Sequence, residues 1–188
     1  HDDPDREHTY AAAGEYEITI RGLMQSISFA DEHPDKNKII GVSNLGNMGW
    51  TSFRKAFNGC ANLKIVSGGN TSQVTDMSFM FANAYVVEPK TGEWDTSNVT
   101  NMESMFFFAE AANPETGNWK TDNVINMSGM FAVAKMATPN TEHWETSNVT
   151  NMKGMFWGAE VASPDTESWD TSSVTDMSHM FDLAKEAN

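Results

Sequence analysis

The sequence predicts an α/β repeat solenoid: a right-handed coil of about six units, closed at its N-terminus by a β cap. Three observations carry that prediction. Tryptophan recurs every 25 residues, at Trp94, Trp119, Trp144 and Trp169. Methionine and phenylalanine keep the same period, in columns that start at Met77, Met80 and Phe81 and run to Met177, Met180 and Phe181. Within one unit, Met102, Met105, Phe106 and Ala109 stand at i, i+3, i+4 and i+7, one face of a short helix. A strict period of this size implies units that bury their apolar faces only against their neighbours.

The elements follow in chain order. Residues 1–38 read as a β-hairpin cap. Tyr16-Glu17-Ile18-Thr19-Ile20 alternates like a strand, and a second strand runs through Leu23–Phe29 to cover the open first coil. Asp31–Lys38 reads as a loop around Pro34. Residues 39–188 read as the solenoid. Its first coil, Thr51–Gly69, is divergent: Phe53, Ala56, Phe57 and Cys60 match Met77, Met80, Phe81 and Ala84 at an offset of 24. Each later unit opens on Asp or Asn (Asp76, Asn101, Asn126, Asn151, Asp176), a residue suited to cap a helix. Pro89, Pro114, Pro139 and Pro164 end the helices and open extended segments such as Glu115–Trp119. Thr96-Ser97-Asn98 reads as a turn into Val99. One helix, one short strand and one turn per period describe a leucine-rich-repeat-like coil.

Phe53-Arg54-Lys55-Ala56-Phe57-Asn58-Gly59-Cys60-Ala61-Asn62-Leu63 resembles the repeat of BspA-type leucine-rich-repeat surface proteins. Trp94-Asp95-Thr96-Ser97-Asn98-Val99-Thr100-Asn101-Met102, with Met105-Phe106, resembles their bacterial 25-residue variant. The likeness runs from Ile39 to Asn188. It departs at Thr91, Thr116, Thr141 and Thr166, where that family usually carries a bulky aliphatic residue. Residues around Tyr16–Ile20 resemble the last strand of polycystic-kidney-disease-type β-sandwich modules. The resemblance implies a non-enzymatic binding or adhesion module of a bacterial surface or secreted protein, extracellular or at the cell surface.

Composition narrows the chemistry. Acidic residues outnumber basic ones 26 to 12, giving a net charge of −14. That argues against nucleic acid, whose affinity rests on Lys and Arg. Membrane insertion is not expected, because no apolar run approaches the ~20 residues of a spanning helix. Cys60 is alone, and reads as a small buried thiol rather than a nucleophile. His1, His8, His33, His143 and His179 lack metal-ligand spacing, so no metal or cofactor is expected. The acidic run Asp2, Asp3, Asp5 and Glu7 lacks the EF-hand pattern. No nucleophile elbow, P-loop or dinucleotide fingerprint is present, so the chain reads as no enzyme. A start at His1 fits a monomeric segment of a larger chain.

What remains are the positions that vary while the scaffold does not. On the expected strand face of the central coils these are Glu115, Asn118, Asn140, Glu142, His143 and Asp165. They form the candidate ligand site, for a protein, peptide or glycan partner. The Thr71 column is expected to serve turns, and the Thr91 column to be buried. Phe107, Phe108 and Trp157 break the repeat on the helix side, as flank packing or as an aromatic patch. The alternative function is a structural spacer or stalk within a larger surface protein.

Overall fold

The computed structural model describes residues 10–29 and 34–186. Successive repeats stack through a parallel ladder one residue wide, with rungs at Ser26, Ser52, Asp76, Asn101, Asn126, Asn151 and Asp176. Regular structure is sparse. Strand β1 (Gly41–Val42) pairs in parallel with β2 (Ile65–Val66), and one 3₁₀ turn covers Lys36–Lys38. Among the described residues there is no α-helix and no further strand. The expectation of an α/β solenoid with a helix and a strand in every unit is therefore corrected: the fold is irregular and built from turns.

The backbone bonds explain why the apolar face at i, i+3, i+4 and i+7 does not form a helix. In the unit at Met77–Ala84, every second N–H leaves the coil. Met77, Phe79, Phe81 and Asn83 donate to the carbonyls of Asn101, Glu103, Met105 and Phe107 of the next coil, at 2.7–3.0 Å. The alternate residues Met80, Ala82 and Ala84 donate three residues back, to Met77, Phe79 and Phe81. An α-helix sends every N–H four residues back and has none to spare for a neighbour. Two left-handed residues per coil make the alternation possible: Phe79 has φ 57° and Asn83 has φ 58°. The same two columns carry positive φ at Ser104 and Phe108, Gly129 and Val133, Gly154 and Gly158, and His179 and Leu183.

The Asp/Asn column keeps its capping role, on a turn rather than a helix. Asp76 Oδ1 accepts from Ser78 N at 2.8 Å, and Asn101, Asn126, Asn151 and Asp176 repeat that bond. After Pro89, Thr91 and Thr96 each open a tight turn, with Trp94 N and Val99 N donating back to their carbonyls.

The core is a set of columns. Phe81, Phe106, Phe131, Phe156 and Phe181 stack with ring centroids 5.5–5.6 Å apart, and Trp119, Trp144 and Trp169 form a second stack. Met102, Met105, Met127 and Met130 are fully buried among them. Both threonine columns are buried in the central coils, and both bond between coils. Thr91, Thr116 and Thr141 donate to the carbonyls of Glu115, Asn140 and Asp165; Thr71, Thr96, Thr121 and Thr146 do the same one row away. An aliphatic residue could fill that volume but could not make that bond.

The N-terminal β cap is also corrected. Residues 10–29 contain no strand, and Ile18, Ile20 and Leu23 are exposed. Met24–Phe29 instead forms the first rung of the stack: Met24 N donates to Met48 O, and Thr51 N to Gln25 O. The reason is that an alternating pattern holds a strand only where one of its faces finds a surface to cover. At the other end, Met177, Phe181 and Leu183 are exposed, because no described coil lies beyond them.

Candidate functional site

All six residues of the expected site are exposed, but they do not lie on a strand face. They stand on the turns around the threonines, on successive central coils. Glu115 folds back over Gly92, where a Cβ would lie 2.7 Å from Glu115 Oε2, and it accepts from Gly92 N at 3.3 Å. Asn140 occupies the matching space over Gly117. Asn118 Nδ2 reaches Gly92 O at 3.4 Å. Asn140 and Asp165 accept from the backbone of Glu142 and Glu167 two residues on. Four of the six side chains are thus engaged, Glu115 and Asn118 across coils and Asn140 and Asp165 within their own turns. Glu142 and His143 are not: neither side chain makes a hydrogen bond or ion pair among the described residues. The structure brings the six into one polar surface and leaves two of its groups free.

A second surface lies on the left-handed turns. Trp157 stands between two open grooves. One, of about 520 Å³, is lined by Phe108, Val133, Trp157, Gly158 and Leu183, with Lys135 and Lys185 at its edge. Lys135 pairs with Glu110 at 2.9 Å, and Lys185 with Glu160 at 2.7 Å. The other, of about 660 Å³, runs over Gly129, Ala132 and Gly154 between Phe107 and Trp157. Phe108, Val133 and Leu183 sit at φ 56°, 59° and 62°. Left-handed backbone costs a non-glycine residue about 1–2 kcal/mol, yet three bulky apolar side chains occupy it here. The sequence marked Phe107, Phe108 and Trp157 as departures from the repeat. It gave no warning of Val133 and Leu183, whose distinction lies in backbone conformation alone.

Residues 51–163 and 134–188 match the family described as Mycoplasma protein of unknown function, DUF285, and together span well over half of the chain. The chain belongs to that family. The overlap of the two matched stretches falls within the repeats, as a 25-residue period allows. The curated proteins give no match, and neither do the solved structures.

In this DUF285 chain Cys60 is fully buried in the column that later holds alanine. Burial pushes its thiol up to about 11, partly offset by the charge of Lys36. The nucleophilic thiolate is therefore scarce at neutral pH. In the native protein at pH 8, Cys60 is expected to resist an aromatic disulfide reagent and to react once urea unfolds the chain; prompt native labelling would contradict the buried column. Among the described residues, no three His, Cys, Asp or Glu side chains are grouped to hold a metal ion. No described helix is long and apolar enough to cross a membrane. The acidic run at Asp2, Asp3, Asp5 and Glu7 lies outside the described residues, as do His1, His8 and His33.

Proposed function

We propose that this chain is a non-enzymatic binding module of a bacterial surface or secreted protein, taking a protein, peptide or glycan on its exposed polar columns. The observation that carries the reading is the contrast between rail and cargo. Coil after coil repeats the same buried residues and backbone bonds, while Glu142 and His143 stand exposed on a central coil, their side chains unpaired among the described residues. A repeated scaffold that varies only at its surface is how stacked-repeat proteins present extended binding faces. The acidic balance of the chain favours a cationic or hydroxyl-rich partner. The resemblance to BspA-type repeats supports the extracellular setting.

The test is an array of basic peptides and neutral oligosaccharides, probed with the wild-type chain and with a Glu142→Ala, His143→Ala, Asp165→Ala variant. Hits that the folded variant loses at least tenfold support the polar columns. Hits that it keeps place the contact elsewhere. A spacer is the second reading, favoured by the unbroken ladder from Ser26 to Asp176. An array without hits would select it.

A further inference from the structure

The repeats provide their own control for which side chains the fold requires. One column reads Ala82, Phe107, Ala132, Trp157 and Asp182. In each coil the carbonyl at that position accepts the same bond from the previous coil, from Gly59, Asn83, Phe108, Val133 and Gly158 in turn. Alanine and aspartate therefore serve the backbone as well as an aromatic does. The backbone bonds do not call for Phe107 and Trp157, whose side chains are half-buried and keep one part open to solvent.

The two aromatics stand two coils apart, roughly 10 Å at the usual strand spacing. The coil between them is low. Its Ala132 and Gly129 form the floor, and Ser104 Oγ lies where a Cβ on Gly129 would come within 2.9 Å. The remaining lining is polar and of mixed character. Glu103 supplies a carboxylate and Lys153 an ammonium. The Lys153 ammonium makes no side-chain hydrogen bond and no close ion pair among the described residues, its charge reaching only as a field to the Asp176 carboxylate, and Glu103 holds a 3.4 Å contact from Asn126.

From this lining we infer that the groove binds a sugar ring of a neutral glycan. The apolar C–H face of the ring rests on Trp157 and Phe107, and its hydroxyls meet Glu103, Lys153 and Ser104. Hydroxyls both donate and accept, so one ligand satisfies the carboxylate and the ammonium together. A proline-rich segment brings carbonyl acceptors but few donors and would cover Glu103 unpartnered. An apolar side chain would strand both charges, and a cation would face Lys153. The groove is open, as a chain polymer needs. The inference concerns different columns from the polar surface and stands apart from it.

Isothermal titration calorimetry with neutral tri- to hexasaccharides of gluco, manno, galacto and N-acetylhexosamine type tests it. The wild-type chain is expected to bind at least one of them in the millimolar range or tighter. Trp157→Ala and Phe107→Ala, each checked for an unchanged urea midpoint, are expected to weaken that binding at least tenfold. Glu103→Gln is expected to weaken it at least threefold. The Glu142, His143, Asp165 triple variant is expected to bind the saccharide as the wild type does, which separates this groove from the polar columns. No saccharide binding at millimolar concentration overturns the inference. So does saccharide binding that survives both aromatic truncations, or a proline-rich peptide that binds in the saccharide's place and depends on Trp157.

Discussion

Phe131→Ala is expected to lower the stability of the chain by about 3–5 kcal/mol, measured by urea unfolding. Phe131 is fully buried and stacked 5.5 Å from Phe106 on one side and 5.5 Å from Phe156 on the other, with Trp144 at 6.5 Å. Truncation removes the transfer energy of the ring and leaves a cavity. How much the cavity costs depends on whether the site can collapse. Here it cannot readily do so, because backbone bonds above and below hold the coil spacing: Phe106 N donates to Met130 O, and Phe131 N to Met155 O. Phe181→Ala is the internal comparison. It removes the same ring from the last described coil, where 38% of the residue is already exposed and Phe156 is its one stacking partner among the described residues. Its loss is expected to be clearly the smaller. A Phe131→Ala loss under about 1 kcal/mol, or equal losses at the two sites, would mean the stack does not carry the stability. Because each coil contacts only its neighbours, the central truncation is also expected to broaden the transition.

The period and the core columns were legible in the sequence because they are matters of which residue recurs and where. Met105, Phe106, Ala109 and Trp119 were expected inside, and all are buried. The local backbone was not legible. Residues at i, i+3, i+4 and i+7 face one way on a helix, and they also do so on two linked turns of this kind. The distinction rests on two left-handed positions per coil, and Ser104, Phe108 and Val133 carry no sign of that conformation. Gly59, Asn83 and Gly158 in one column, and Gly129 and Gly154 in the other, were the available signal, since such residues take positive φ most easily. The polar surface was legible as variation against a constant scaffold. Its division into engaged and free groups was not, because Glu115 and Asn118 find their partners on a coil more than 20 residues away. The groove was half visible: Trp157 and Phe107 announce themselves, whereas the low floor at Gly129 appears only once the coils are stacked.

Thr116→Val is expected to cost about 1–3 kcal/mol although it changes almost no volume. Thr116 is buried, and its hydroxyl donates to Asn140 O of the next coil at 2.8 Å. Valine keeps the β-branched shape, but it leaves the Asn140 carbonyl without that donor. The loss is therefore a measure of the bond rather than of packing. The geometry recurs with little change at Thr91 and Thr141, 3.1 and 2.7 Å from their acceptors, so the column acts as a side-chain ladder where backbone pairing is sparse. Thr166→Val is the matched control, from the same column. Thr166 is exposed on the last described coil and its hydroxyl has no partner among the described residues, so the change there is expected to stay within about 0.5 kcal/mol. The pair of urea midpoints decides between two roles for the threonines. A central loss with a silent control means that hydroxyl bonds tie the coils together. A neutral or stabilising Thr116→Val would mean that burial alone explains the column, and that any β-branched residue of that size would serve.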